Sequence, residues 1–393
     1  MSNMNKTILS KILPAGASLC AVALFAVSAN LVFGSIVKVA KEFNIQAELF
    51  AMVASVQFAG FLVSSIIGGI LSDKFGRKII IQTACIMLSL GALIWGISNN
   101  IMTCYLGSIF LGLGGGILES ISCVILMELF PGRKKMVLNI SQVCYCLGAV
   151  GSLFALGWLM PNGASWRIFF FIMSILSLVL YLLFFVSRFD VPDTLAEQQS
   201  DSKRIKPLLI TWSFIAPCIA LFCYVFAEAG TATFINIFLQ NHYHAPERWA
   251  IYALATFWSF MVFGRILCAF IPEKISPKTI ISLLSFSAAL LFIVQYFLSS
   301  WIASFIFFAL LGFSFAGIWP LIVNLTAVLN PRSAGTVVGI TVAVGAAGCI
   351  VAPAVLGYLF SKLNIPLVWA LLAIPMILCG IITIAIPNHS SDP

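Results

Sequence analysis

Charge is what this sequence has least of. Lys, Arg, Asp and Glu together make up 9% of its 393 residues, against roughly a quarter in soluble domains, whose surfaces face water. Ala, Val, Ile, Leu, Met, Phe, Trp, Tyr and Cys supply 61%, so most of the surface must face lipid. Long polar stretches are scarce too, which leaves no room for a soluble catalytic domain. No nucleophile–base pair or phosphate loop stands out. The run Gly112-Leu-Gly114-Gly-Gly-Ile imitates a nucleotide fingerprint, but it lies in mid-membrane with no strand before it. An enzyme is therefore not expected, and neither is a cofactor. The 11 cysteines are scattered, mostly inside apolar runs, and no pair falls in an outward loop. No disulfide is expected, and no His/Cys spacing implies a metal site.

What is present is a series of apolar runs. A spanning helix needs roughly 20 apolar residues, and twelve runs qualify: about 12–37, 49–72, 79–97, 102–128, 137–160, 167–187, 207–240, 248–271, 278–297, 301–328, 334–360 and 365–386. The first is too long for a signal-peptide core and no small-residue cleavage site follows it, so a retained helix is expected. The net charge of +8 is unevenly placed. With both termini cytoplasmic, one side holds the basic residues of the loops around Lys74–Lys78, Arg133–Lys135, Lys203–Lys206 and Lys274–Lys278. The other holds only Lys38, Lys41, Arg167, Arg248 and Lys362. That is the positive-inside pattern. The basic loops then meet anionic headgroups, and no nucleic-acid partner is implied.

The runs repeat. Gly69-Ile-Leu-Ser-Asp73-Lys74-Phe-Gly76-Arg77-Lys78 returns 200 residues later as Ala269-Phe-Ile-Pro-Glu273-Lys274-Ile-Ser-Pro277-Lys278. Gly112 matches Gly312, Gly148 matches Gly348, and Gly157-Trp158-Leu159 matches Gly357-Tyr358-Leu359. A constant offset over most of each half implies two parallel repeats. The expected domains are 1–187, a six-helix bundle; 188–206, a polar cytoplasmic linker; and 207–393, a second six-helix bundle. Such an all-α fold needs no partner, so a monomer is expected. Glycines crowd the fourth, fifth and eleventh runs, where they permit either static close packing or the sliding of helices. In the outward loop after the seventh run, His242 and His244 read either as solvated residues or as pH sensors.

The first junction resembles the loop signature of the major facilitator superfamily: Gly69, Asp73, a base, Gly76, Arg77 and Lys78 stand in the family's order. The resemblance implies twelve transmembrane helices in two six-helix bundles, both termini in the cytoplasm of a bacterium, and multi-pass residence in its inner membrane. It also implies a conformational latch. Gly69, Asp73, Gly76, Arg77 and Lys78 form the stronger copy, with Gly76 in a tight turn and Arg77 and Lys78 at the headgroups. Glu273 and Lys278 form a weaker one, without the first Gly and the Arg.

Three charges lie well inside the runs: Glu119, Glu228 and Arg265. On insertion scales a charge at the bilayer centre costs roughly 2.5–3.5 kcal/mol, so such a residue faces a cavity or a partner. At 1.5 Å per residue Glu119 lies ~6 Å cytoplasmic of its helix middle, Glu228 about as far outward, and Arg265 ~7 Å inward. By depth, Arg265 suits Glu119 better than Glu228 as an intramembrane ion-pair partner, although it equally suits snorkelling to the inner face. Each glutamate either loads and releases a proton as access alternates or simply hydrogen-bonds a solute.

Leu111–Leu147, with Phe222-Cys-Tyr224-Val-Phe-Ala-Glu228 and Gly264-Arg265, looks like the fucose / glucose–galactose permease branch. The matches are a glycine-rich fourth helix carrying Glu119, the opening Leu138-Asn139-Ile-Ser-Gln142 of the fifth, and the Tyr224–Glu228 run of the seventh. Departures are as informative. The first helix reads Ser28-Ala-Asn30-Leu-Val-Phe33-Gly34 without the branch's acid, and Cys123 stands where the branch has Asn. Two-carboxylate coupling is therefore not carried over; Glu228 supplies a second carboxylate, or the protein is a uniporter. Carbohydrate sites pair hydroxyl hydrogen bonds with flat aromatic faces. The expected contacts are Asn30, Glu119, Gln142, Tyr224, Glu228, Asn236 and Trp319, with Trp258 a further aromatic. The leading expectation is a secondary transporter that imports a sugar, with protons as possible co-substrate. The alternative is a proton-driven exporter of drugs or metabolites. Exporters of that kind typically carry Gly-Pro in the fifth helix and Arg in the fourth. Here Gly148-Ala-Val-Gly151-Ser and Ser108 or Phe110 stand there.

Overall fold

The computed structural model of the chain describes residues 2–187, 211–268, 275–330 and 334–386. Every regular element among them is helical: α1 (Ser2–Glu42), α2 (Ala47–Phe50), α3 (Met52–Phe75), α4 (Arg77–Gly96), α5 (Ile101–Leu129), a 3-10 turn (Pro131–Arg133), α6 (Lys134–Leu159) and α7 (Trp166–Val186), then α8 (Trp212–Asn241), α9 (Glu247–Cys268), α10 (Pro277–Gln295), α11 (Trp301–Phe315), α12 (Ile318–Leu329), α13 (Ala334–Lys362), α14 (Ile365–Leu371) and α15 (Ala373–Ile384). Helices are the expected answer to this composition, because in hydrocarbon each backbone polar group must be satisfied within its own segment. They make twelve spans long and apolar enough to cross a membrane. Ile70, Leu182, Val186, Leu283 and Ile384 are each more than half exposed. Apolar exposure on this scale is stable only against lipid. The protein is a multi-pass membrane protein.

Contacts divide the chain into two units, Met1–Glu197 and Gln198–Pro393; the 188–206 stretch lies outside the described residues. Within the first unit α1 packs on α5, α6 and α7, α3 on α5, and α4 on α5 and α7. Within the second, α8 packs on α12, α13 and α15, α9 on α11, and α10 on α11, α12 and α15. These are the same neighbours, shifted by six spans. The closest crossing repeats too. A Cβ on Gly112 would overlap the Gln57 carbonyl, and one on Gly312 would overlap the Phe257 carbonyl, each pair separated by 55 residues. Only glycine lets α3 and α5, or α9 and α11, approach this closely.

The units differ most at one place near the site. The fourth span is a single helix, α5. Its counterpart, the tenth span, breaks after Phe315 and restarts at Ile318 as α12. Pro320 explains the break: it has no N–H to give the carbonyl of Ala316, and its ring crowds that carbonyl. Pro375 likewise sits just past the break between α14 and α15, where its missing N–H leaves the carbonyl of Leu371 without a helical donor. Local signals place other ends. Asn100 caps α5 by accepting a hydrogen bond from the Thr103 amide at 3.0 Å, and Ser165 caps α7 through the Arg167 amide. Gly76, at φ +86°, makes the one-residue turn between α3 and α4, a conformation L side chains rarely adopt.

Candidate functional site

In the first unit, the fourth and fifth spans bring Glu119 of α5 and Gln142 of α6 together, and their side chains are hydrogen-bonded. Both are half-buried. One turn further along α5, Cys123 lies 3.9 Å from the Ser141 hydroxyl. Among the described residues no Lys or Arg forms an ion pair with Glu119. Asn30 is fully buried in α1, and its amide donates to the Ala26 carbonyl at 2.9 Å. Two residues earlier in α1, Ser28 accepts a hydrogen bond from Gln57 of α3 at 3.3 Å. The first unit therefore offers a carboxyl–carboxamide pair with spare hydrogen-bonding capacity, a chemistry that suits hydroxyl groups.

In the second unit, the seventh span carries a different cluster. The Tyr224 hydroxyl donates to Glu228 Oε1 at 2.8 Å and lies 3.2 Å from the Phe315 carbonyl, at the break in the tenth span. Arg265 of α9 stands close enough for its charge to act on Glu228. This corrects the expectation from depth. Helical rise fixes height along the membrane normal, but helix rotation and the half of the chain decide who meets whom, and α8 and α9 pack together. Tyr224 itself is fully buried. Its ring stands edge-on to Phe315, centroids 5.5 Å apart. Asn236 is also fully buried and accepts a hydrogen bond from Gln240 at 2.7 Å. Trp258 is buried against Phe257, whereas Trp319, four residues past Phe315, is only half-buried.

The junction residues are drawn into the fold. Arg77, expected at the headgroups, forms an ion pair with Glu128 at the end of α5. Lys78 donates to the carbonyls of Phe185 and Ser187 at 2.6 and 2.9 Å, closing the end of α7. Lys278 makes the matching bond in the second unit, to the Ile386 carbonyl at 2.6 Å. Cations at helix C-termini complement the helix dipole. A Cβ on Gly69 would meet nothing. The backbone of Asp73 lies in the last turn of α3, its side chain outside the described part, and Glu273 lies outside the described residues.

The family model of the Major Facilitator Superfamily matches residues 18–341 and 219–392. The chain belongs to that superfamily. Its fold is the major facilitator fold, and it is a secondary transporter of small solutes. Among curated relatives, the cis,cis-muconate transport protein of Acinetobacter baylyi is 25% identical over 94% of this chain and 95% of its own length. Plastidic glucose transporter 4 of Arabidopsis thaliana is 31% identical, but over 40% of this chain and 29% of its own length. Among solved structures, a bacterial homologue of the human lysosomal transporter Spinster superposes with a TM-score of 0.75 at 16% identity, covering 95% of each chain. At that identity it speaks for the fold alone.

Two features of this superfamily member are not evident from the sequence alone. One is Glu128, whose only sequence signal is position, an acid at the end of the fourth span beside a basic loop. The second is a clasp between the ends of the first, third and sixth spans. Glu42 pairs with Arg167 at 2.7 Å and accepts the Trp166 indole N–H at 2.7 Å, while Arg167 also donates to the Ser98 carbonyl at 2.9 Å. No local pattern marks it, because its members come from three spans.

Proposed function

We propose that the protein imports a small neutral polar solute, a sugar by chemical class, by alternating access across the inner membrane of a bacterium, with both termini in the cytoplasm. One observation carries the reading: the half-buried Glu119–Gln142 pair, without a cation ion-paired to Glu119 among the described residues. A carboxyl and a carboxamide side by side can accept from and donate to vicinal hydroxyls. An anionic solute would instead call for a cation, and the charge of Arg265 already acts on Glu228. The partial match to plastidic glucose transporters agrees with this choice. Trp319, half-buried at the register position of Glu119, is the proposed ring-stacking surface.

Proton coupling belongs to the same proposal. Glu119 and Glu228 are carboxyls inside spans, where a group usually faces a cavity or a partner, and each can carry a proton between the two access states. Asp73 and its neighbours form the latch between those states. A second reading has a specific observation behind it. One relative that matches along nearly the whole chain is named for muconate, a dicarboxylate, and Arg265 would then anchor a carboxylate.

Uptake of labelled sugars and of labelled muconate into proteoliposomes, with and without an inward proton gradient, separates the readings. Sugar accumulation that collapses with the gradient supports the proposal. Muconate uptake without sugar uptake moves it to the second reading, and gradient-driven dye efflux with neither uptake defeats both. If Glu119→Gln and Glu228→Gln each still accumulate solute against its gradient, neither glutamate couples.

A further inference from the structure

Tyr224 stands between a titratable carboxyl and a broken helix. Its single hydroxyl proton has two acceptors in reach, Glu228 Oε1 at 2.8 Å and the Phe315 carbonyl at 3.2 Å. The carbonyl closes the last turn of α11, where the chain leaves helical geometry before Pro320. One proton cannot serve both acceptors fully. The shorter contact goes to the carboxylate, as a charge-assisted bond should.

We propose that Tyr224 is a positioning residue that transmits the protonation state of Glu228 to the hinge between α11 and α12. With Glu228 ionised, the Tyr224 proton is committed to Oε1, and the Phe315 carbonyl is held weakly. When Glu228 takes a proton from solution, its new O–H donates to the phenolic oxygen. The Tyr224 proton then turns to the Phe315 carbonyl and pins the end of α11 against α8. No bond other than hydrogen bonds changes, and one proton enters for each switch. This deepens the coupling reading and rests on Glu228 as the group that changes protonation.

The surroundings leave few other groups to set the switch. Arg265 on α9 is the charge that acts on Glu228. Elsewhere α9 carries Glu247, Arg248 and Tyr252, toward its opposite end. Of the other helices packed on α8, namely α11, α12, α13 and α15, the only Asp, Glu, Lys, Arg or His is Lys362, at the end of α13. Their thiols, with that of α9, are Cys268, Cys349 and Cys379. The corresponding first-unit positions show what is specific here: Ser28 stands at the place of Glu228, and α5 is unbroken at the place of the hinge.

The test needs no substrate. Ile302 on α11 and Val328 on α12 are 57% and 62% exposed, and a straight helix would set them ~39 Å apart at 1.5 Å per residue. Nitroxides introduced there through a keto amino acid leave the native cysteines in place. Double electron–electron resonance on the full chain in nanodiscs then follows the distance from pH 5 to pH 9. The wild-type distribution should shift in one transition. Glu228→Gln, whose amide donates to Tyr224 as a protonated carboxyl does, should stay at the low-pH distribution throughout. Tyr224→Phe, which keeps the ring and loses the proton, should show no shift at any pH. A wild-type distance that ignores pH overturns the proposal, as does a Tyr224→Phe protein that titrates like wild type. The coupling reading fails separately. If Glu228→Gln still accumulates solute while the hinge titrates as described, Glu228 is a switch without being the coupling site. If accumulation is lost while the wild-type hinge is static, coupling stands and the hinge proposal falls.

Discussion

The two halves share a scaffold and differ in where they put charge. At the same register, Gly112 meets Gln57 and Gly312 meets Phe257, so the tightest crossing is built twice. Against that common frame the first unit sets Glu119 in a hydrogen bond with a neutral amide, that of Gln142. The second holds Glu228 with a tyrosine and an arginine. Ser120 donates back to the Gly116 carbonyl at 2.7 Å and leaves α5 whole; its counterpart Pro320 donates nothing, and the span breaks. At the end of the first span Glu42 is clasped by Arg167, and its counterpart His242, at the end of the seventh, instead stacks on Phe238 with centroids 5.5 Å apart. Duplication supplied the frame. The chemistry lies where the copies have separated, and the broken span lies in the copy in which the charge of Arg265 acts on Glu228.

The largest effect should fall on what the halves share. Gly112→Leu and Gly312→Leu should each abolish a monodisperse folded peak in fluorescence-detected size exclusion, because backbone carbonyls occupy the space the side chain needs. Gly339→Leu, which meets open space, should leave that peak intact. If only one of the two crossings matters, the halves are not equivalent scaffolds.

The next test exchanges a difference. Ser120→Pro should cost about 3 kcal/mol or more, the ordinary price of proline in a helix interior. Pro320→Ser should be tolerated in thermal melts while slowing solute turnover. Equal penalties would mean that the break is incidental.

A double-mutant cycle addresses the charges. Glu228→Gln with Arg265→Gln should show a coupling energy of roughly 0.5–3 kcal/mol, as groups in contact do. Glu119→Gln with Arg265→Gln should be additive in the same unfolding assay. Coupling in the second cycle would restore the pairing that depth alone implied.

The smallest effect concerns His242. Partial burial, and secondarily the charge of His244, hold its imidazole below the ordinary histidine value. A lowered folded value means its contribution to stability is complete above the unfolded value near ~6.5 and lost as pH falls through the folded one. Melting temperature should therefore decline slightly more between pH 7.5 and pH 5 in wild type than in His242→Gln. An identical decline removes this group from the comparison.

Much of this was legible in order. Twelve spans, two repeats and the turn at Gly76 follow from apolar run length, constant offset and glycine's access to positive φ. Glu119 and Gln142 were legible as candidate contacts, since both are polar groups inside spans; that they meet each other was not. The partner of Arg265 was not, because sequence gives height along a helix and withholds its rotation. The tenth run read as one continuous helix, although Pro320 was in view; whether a proline kinks or interrupts a helix depends on what can satisfy the carbonyls it orphans. Arg77 read as a headgroup residue because its partner, Glu128, lies a whole hairpin away.

The sequence by itself determined that this is a twelve-span membrane protein of duplicated design, because charge scarcity and hydrophobic length leave hydrocarbon no other solution. Only the tertiary structure decided which buried charge answers which, and that a single tyrosine proton is shared between a carboxyl and a broken helix. Those facts depend on angles between helices, which are set by packing across hundreds of residues and not by any local run.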